Sequence, residues 1–246
     1  MSNRSEKSSV EEIRARFDKD VERFSNLETG QSATIDAPVV LELITAAAAA
    51  VTPRARDVLD VGCGAGNYTL KLLEKLPAGA NVTLIDLSRP MLDRAVERAG
   101  NVMRPGVVVT PLQGDIRELA PRFDANSFDV IVAAAVLHHL RSEDEWESVF
   151  ASFHRALRPG GSVWIADLVT HSIEPVQQLM WRRYGEYLAG LKDERYRDEV
   201  LAYVEKEDTP RPLVWQLDLL RRVGFSQVEV LHKNGCFAAF GAVRGE

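Results

Sequence analysis

Asp60-Val61-Gly62-Cys63-Gly64-Ala65-Gly66 is the stretch that decides how this chain folds. A short apolar run, Val58-Leu59, leads into it from Asp57, and a segment of helical character begins at Tyr68. Strand, glycine loop and helix, in that order, place a ligand at a helix N-terminus. One glycine lets the backbone turn with φ > 0, and another lets a ligand approach the main chain without meeting a Cβ. The loop N–H groups and the positive end of the helix dipole then favour an anionic group. The spacing is G-x-G-x-G, with Asn67 where a dinucleotide fingerprint has its third glycine.

Three further signals lie downstream. Val82-Thr83-Leu84-Ile85-Asp86 is an apolar strand ending in an acid, where a carboxylate can accept both hydroxyls of a ribose. Gly114-Asp115-Ile116 follows another strand, and Leu157-Arg158-Pro159-Gly160-Gly161 reads as a turn between a helix and a strand. Together these motifs resemble the class I S-adenosylmethionine (SAM)-dependent methyltransferases, over residues 55–170 in order and more loosely beyond. The resemblance implies a three-layer, Rossmann-like α/β fold. Its seven-stranded sheet is mostly parallel, with strand 7 antiparallel between strands 5 and 6.

The same resemblance implies a cofactor site. SAM is the expected cofactor and S-adenosylhomocysteine (SAH) its product. Asp60, Gly62, Cys63, Gly64 and Gly66 form the loop, with Asp60 fixing it or meeting the cofactor's ammonium. Asp86 takes the ribose. Asp115 accepts from the adenine amino group, with Gly114 in the same turn and Ile116 stacked on the ring. Leu87 and Met91 close the other side, although Met91 serves equally well as core packing. Ala133 and Ala134, with Ala135, end strand 4 and leave room for the sulfonium and the acceptor. His138 or His139 next to them offers a base of near-neutral pKa, or else packs and caps a loop. Two adjacent histidines without a third ligand do not make a zinc site, so no metal is expected.

The expected elements outside these motifs are coarser. Ile13, Phe17, Val21 and Phe24 give one apolar face to a helix over 11–28, either packed on the domain or covering the cofactor. Residues 1–10, rich in Ser, Lys and Glu, read as disordered. Gln31 or Thr29, in the polar segment 26–36, is placed near the methionine end. A helix follows over 38–50, then strands at 57–61, 82–86, 107–112, 128–134 and 162–168, with helices at about 67–76 and 143–157. Residues 172–208 carry Trp181, Tyr184, Tyr187, Leu188 and Leu191 at helical spacing, as a cover or acceptor insertion. Tyr184 there is a candidate to orient the nucleophile, and Arg182 or Arg183 to hold a carboxylate. The last helix and hairpin span 212–243, with a tight turn at Lys233-Asn234-Gly235 and strand 7 at 236–243. One domain accounts for the whole.

Composition bounds the function. A net charge of −6 with acids spread along the chain argues against nucleic acid as partner. The two cysteines give neither a disulfide framework nor metal spacing. No apolar run approaches 18 residues, so a membrane is not expected, and a cytoplasmic protein is the default. A homodimer stays an open option. The leading function is methyl transfer from SAM to a small molecule. Two alternatives stand beside it: a carboxy-SAM synthase, which the segment 233–242 resembles, and a non-catalytic SAM-binding protein. The first needs a cation for the extra carboxylate; the matching place, Leu201-Ala202-Tyr203, has none, with Arg195, Arg197 and Arg211 nearby in sequence.

Overall fold

The computed structural model describes residues 7–26, 31–102 and 106–246. Seven strands form one sheet in the order β3-β2-β1-β4-β5-β7-β6. These are β1 (Asp57–Val61), β2 (Asn81–Asp86), β3 (Val109–Gln113), β4 (Phe128–Ala134), β5 (Leu157–Leu168), β6 (Phe225–Asn234) and β7 (Phe237–Arg244). The pairs among β1 to β5 are parallel, and β7 runs antiparallel between β5 and β6. This is the α/β sheet expected from the motifs, including the position of the last hairpin.

The central strands look continuously apolar because both faces are covered. Side chains nevertheless alternate with the period of 2 that a pleated strand imposes. Val58, Val130, Val132, Trp164 and Ala166 pack on one face with α3 (Ala37–Val51), α4 (Asn67–Lys75) and α5 (Arg89–Val102). Leu59, Val61, Ile131, Ala133, Val163 and Ile165 pack on the other with α7 (Glu143–Ala156) and α10 (Leu213–Arg222). A short helix, α6 (Ile116–Leu119), follows β3.

A third cluster sits above the carboxyl edge of the sheet. There α8 (Glu174–Leu191) and α9 (Glu194–Glu207) bury Tyr184, Leu188 and Val204 against Leu168, Cys236 and Phe237. The N-terminal helices α1 (Val10–Phe17) and α2 (Val21–Ser25) lie over the same edge. They are tied down by Asp18, which accepts from Ser88 Oγ at 2.6 Å, and by the Phe24 carbonyl, which accepts from Asn67 Nδ2 at 3.1 Å. Arg16 pairs with Glu207 at 3.0 Å, and Lys7 donates to the backbone carbonyl of Asp208 at 2.7 Å.

Several local expectations are corrected. The single helix over 11–28 is two helices, broken where Asp18 and Asp20 favour turns over helix interior and Asp18 is drawn to Ser88. Residues 7–10 are structured, with Ser9 and Glu12 forming a reciprocal capping box; residues 1–6 lie outside the described part. The third strand starts at Val109 rather than 107. The Arg-Pro-Gly-Gly segment belongs to β5, as an irregularity between the Phe128–Leu157 and Val130–Ser162 pairs. The hairpin turn is one residue later than expected: Asn234 ends β6, and Gly235, φ +56°, opens a two-residue loop with Cys236. A glycine first in such a loop matches a type II′ turn, and the Asn234 side chain is engaged by Asp36 instead.

Candidate functional site

Two cavities open at the carboxyl edge, about 410 and 720 Å³ in volume. The smaller is lined by Gly62, Asp86, Leu87, Gly114, Asp115 and Ile116, all read from the sequence, and is covered by Val10 and Ile13 of α1. The larger is lined by Ala134, Ala135, His138 and Asp167 below and by rings from α1, α2, α8 and α9 above. The short turn Leu137–His139 stands between them, with His138 on the larger cavity and His139 on the smaller.

The glycine loop is a closed turn. Cys63 N–H donates to the Ile85 carbonyl at 2.9 Å and Gly66 N–H to the Cys63 carbonyl at 2.8 Å. Gly64 N–H donates to Asp86 Oδ2 at 2.9 Å. These donors are therefore spent on shaping the loop rather than left for an anion. Gly62 is where glycine is required: φ is +64°, and a Cβ would come within 2.6 Å of Val136. Cys63 is buried in the core and lines neither cavity.

Asp60 falls on the α4 face of β1, where Thr69 Oγ1 donates to Oδ2 at 2.5 Å. Burial pushes its carboxyl up to about 6, against the pull of the Thr69 bond. Asp86, at the end of β2, accepts from Gly64 N–H on one oxygen and Ser88 N–H on the other, each at 2.9 Å. Burial raises it to about 6 as well, and these backbone bonds lower it. Asp86 lines the smaller cavity, and each oxygen has a second lone pair beyond its Gly64 or Ser88 bond. Asp115 lines the cavity but is more occupied than expected. It caps α6 through Arg117 N–H at 2.9 Å and holds the Arg117 guanidinium through both oxygens. Met91 is fully buried on α5 and lines neither cavity, in line with its packing role. Ala133 likewise faces the α7 side of the sheet, whereas Ala134, one residue on, reaches the larger cavity.

His138 is held by Asp167 at the end of β5: its Nδ1 meets Oδ1, and its backbone N–H donates to Oδ2 at 3.1 Å. Asp208, at the C-terminal cap of α9, lies on its other side, 3.7 Å from Nε2. Burial disfavours the imidazolium, but the two carboxylates outweigh it and raise His138 to about 9. His139 is held well below the usual range by burial, then by His138 and Arg141, against a backbone bond to Glu207. His138 therefore holds its proton more tightly than a free imidazole. Tyr184 is also committed: its hydroxyl donates to the Ala33 carbonyl at 3.1 Å, as that of Tyr187 does to Ser32 at 2.9 Å. Both tyrosines thereby fix the segment before α3, and Gln31 in that segment lines the larger cavity, while Thr29 lies outside the described residues.

Sequence reasoning missed Asp167, Asp208 and Tyr68. Asp167 carried a usable signal, an acid at the carboxyl end of an apolar strand like Asp60 and Asp86. Asp208 closes a charged run, Glu205-Lys206-Glu207-Asp208, that reads as a solvated helix end. Of the arginines weighed for a carboxylated cofactor, Arg195 pairs with Glu199, Arg197 with Asp198, and Arg211 stacks over Trp215. None of the three lines either cavity, whereas Tyr203 lines the larger one. Among the described residues no helix is long and apolar enough to cross a membrane.

Comparison with known proteins agrees with this fold. Residues 58–161 match the family described as a methyltransferase domain. The chain is 30% identical over 176 residues to a 2-phytyl-1,4-naphtoquinone methyltransferase of Nostoc punctiforme, covering 68% of this chain and 71% of the relative. It is 26% identical over 195 residues to a demethylmenaquinone methyltransferase of Lactococcus lactis, covering 77% and 74%. Among solved structures, magnesium protoporphyrin IX methyltransferase from Synechocystis with bound SAH superposes with a TM-score of 0.66 at 14% identity, over 96% of this chain and 100% of the other.

Proposed function

This chain belongs to the class I SAM-dependent methyltransferases, and we propose that it methylates a flat, largely apolar small molecule seated in the larger cavity. The observation that carries this reading is the pair of cavities flanking the Leu137–His139 turn. The smaller offers strand-end carboxylates and a glycine approach suited to an adenosine. The larger is walled by Phe17, Phe24, Tyr68, Tyr184, Tyr203 and Phe237, rings that favour an apolar planar partner. The names of the relatives from Nostoc and Lactococcus point to ring compounds, which agrees with such a wall.

In this arrangement Asp86 accepts the ribose hydroxyls and Ile116 packs on the adenine. The small side chains of Ala134 and Ala135 leave space for the sulfonium. Asp60, through Thr69, holds the loop to the start of α4. Methyl transfer is an in-line displacement at a carbon already activated by the sulfonium, so alignment and exclusion of water matter more than a base. Helices α1, α2, α8 and α9 provide that exclusion. Incubation with SAM carrying a deuterated methyl group, against hydroxylated ring compounds and matched straight-chain alcohols, tests the acceptor class. Label appearing in the ring compounds supports it; label appearing only in the chain alcohols refutes it.

A further inference from the structure

The turn Leu137–His139 and the end of α9 bring together side chains that methyl transfer does not require. His138, His139 and Asp208 each direct one donor atom to a common point, and the three atoms lie within 4.8 Å of one another. His138 Nε2 is 3.7 Å and His139 Nδ1 is 3.4 Å from Asp208 Oδ1. No hydrogen bond satisfies His139 Nδ1 or Asp208 Oδ1, although both atoms are shut off from solvent. The Asp208 side chain is only 4% exposed. Buried groups of this strength are seldom left unmatched. The two separations to Asp208 are instead close to the roughly 3.4 Å between donors that share a tetrahedral ion with bonds of about 2.1 Å, and a small rotation of the histidine rings would bring the third within that reach.

A second observation points the same way. Asp167, whose side chain is fully buried, engages His138 at Nδ1 and at its backbone N–H. That fixes the ring and turns Nε2 toward the Asp208 oxygen. Positive charge belongs between Nε2 and that oxygen: without an ion the proton of the His138 imidazolium supplies it, and a bound cation would take that proton's place. A carboxylate behind a histidine, with a cation in front, is the arrangement by which proteins orient an imidazole ligand. The sequence withheld this because the third donor lies 69 residues after the nearer histidine, as the difference between 208 and 139 shows.

We propose that His138, His139 and Asp208 bind one divalent transition-metal ion, zinc foremost, with Asp167 as the outer partner that holds His138. Imidazole and carboxylate together suit ions of this class. The ion ties the end of α9 to the turn between the cavities. His138 and Asp208 also line the larger cavity, so an ion they held would lie beside the acceptor. The proposal does not depend on which acceptor is used.

The test uses full-length protein without a polyhistidine tag, loaded with zinc or cobalt(II) chloride and then dialysed. Elemental analysis is expected to give one zinc per chain, and cobalt(II) is expected to give the visible bands of a four- or five-coordinate ion. Asp208→Asn should abolish stoichiometric binding, and Asp167→Asn should weaken it by about 10- to 100-fold. His171→Ala, away from the cluster, should bind as the wild type does. Wild-type protein without bound zinc and without cobalt bands overturns the proposal, even if the Asp208 variant fails to fold. Unchanged binding in Asp208→Asn, or equal loss in His171→Ala, overturns it too.

Discussion

Replacing Asp86 by alanine separates cofactor binding from folding. Burial raises this carboxyl to about 6, against about 3.9 in an unfolded chain. Keeping it ionised in the ligand-free protein at pH 7.5 therefore costs about 3 kcal/mol. The sign follows from the raised value: its contribution to stability is full below the unfolded pKa and is lost as pH rises through about 6. Alanine removes that cost. It also strips the Gly64 and Ser88 N–H groups of their acceptor, at about 1–3 kcal/mol for each donor that water does not reach. These effects partly offset: about 2–6 kcal/mol lost against about 3 gained leaves ligand-free stability between about 1 kcal/mol higher and about 3 kcal/mol lower. Binding has no such offset. Two ribose hydroxyls lose a charged acceptor, with each bond worth roughly 1.5–3 kcal/mol. Allowing for non-additivity, the loss is about 3 kcal/mol, or about 150-fold in Kd. Calorimetric titration with SAH beside urea denaturation of both proteins reads the two quantities. An SAH affinity within threefold of the wild type refutes the placement of the ribose. A large loss of stability refutes the claim that Asp86 serves binding more than folding.

Other outcomes follow from the same geometry. SAH affinity should fall as pH drops through about 6, because Asp86 must be ionised to accept two hydroxyls; a flat titration profile from pH 5 to 7.5 would contradict this. Gly62→Ala should destabilise by about 2 kcal/mol or more, from both the positive φ and the clash with Val136, and Val136→Ala in the same chain should restore only part of it by thermal unfolding. Helices α1, α2, α8 and α9 should exchange amide hydrogens faster than β1 and β4 without ligand and slow on adding SAH; equal protection in both states would count against a closing cover. Mass spectrometry of ligand released from fresh protein should show SAM or SAH; a species heavier by one carboxylate would put a carboxylated cofactor in its place.

The sheet was legible because its signals are local. Val58 to Asp60 and Val82 to Asp86 combine apolar strands with terminal acids, and the order of strands and helices fixes a parallel core. Even the antiparallel seventh strand followed from the resemblance. What failed depended on contacts between distant segments. The break between α1 and α2 answers to Ser88, some seventy residues away, and Asn234 is kept in β6 while its side chain bonds Asp36. The site divides in the same way. Gly62, Asp86, Leu87, Gly114, Asp115 and Ile116 converge on one cavity because each ends a strand or follows one. Periodicity alone separates Ala133 from Ala134, a distinction the sequence reading did not draw. Tyr184 was found by its helical spacing, but that spacing says nothing of the Ala33 carbonyl that occupies its hydroxyl. Asp208 comes to the histidines only when α9 folds back over the sheet.

The most direct measurement is the electron density of SAH in a crystal of the full chain. The account predicts adenosine in the smaller cavity, with its ribose on Asp86 and adenine beside Ile116, and the sulfur directed past Ala134 into the larger cavity. Adenosine lodged in the larger cavity, or a ribose more than hydrogen-bond distance from Asp86, would contradict it.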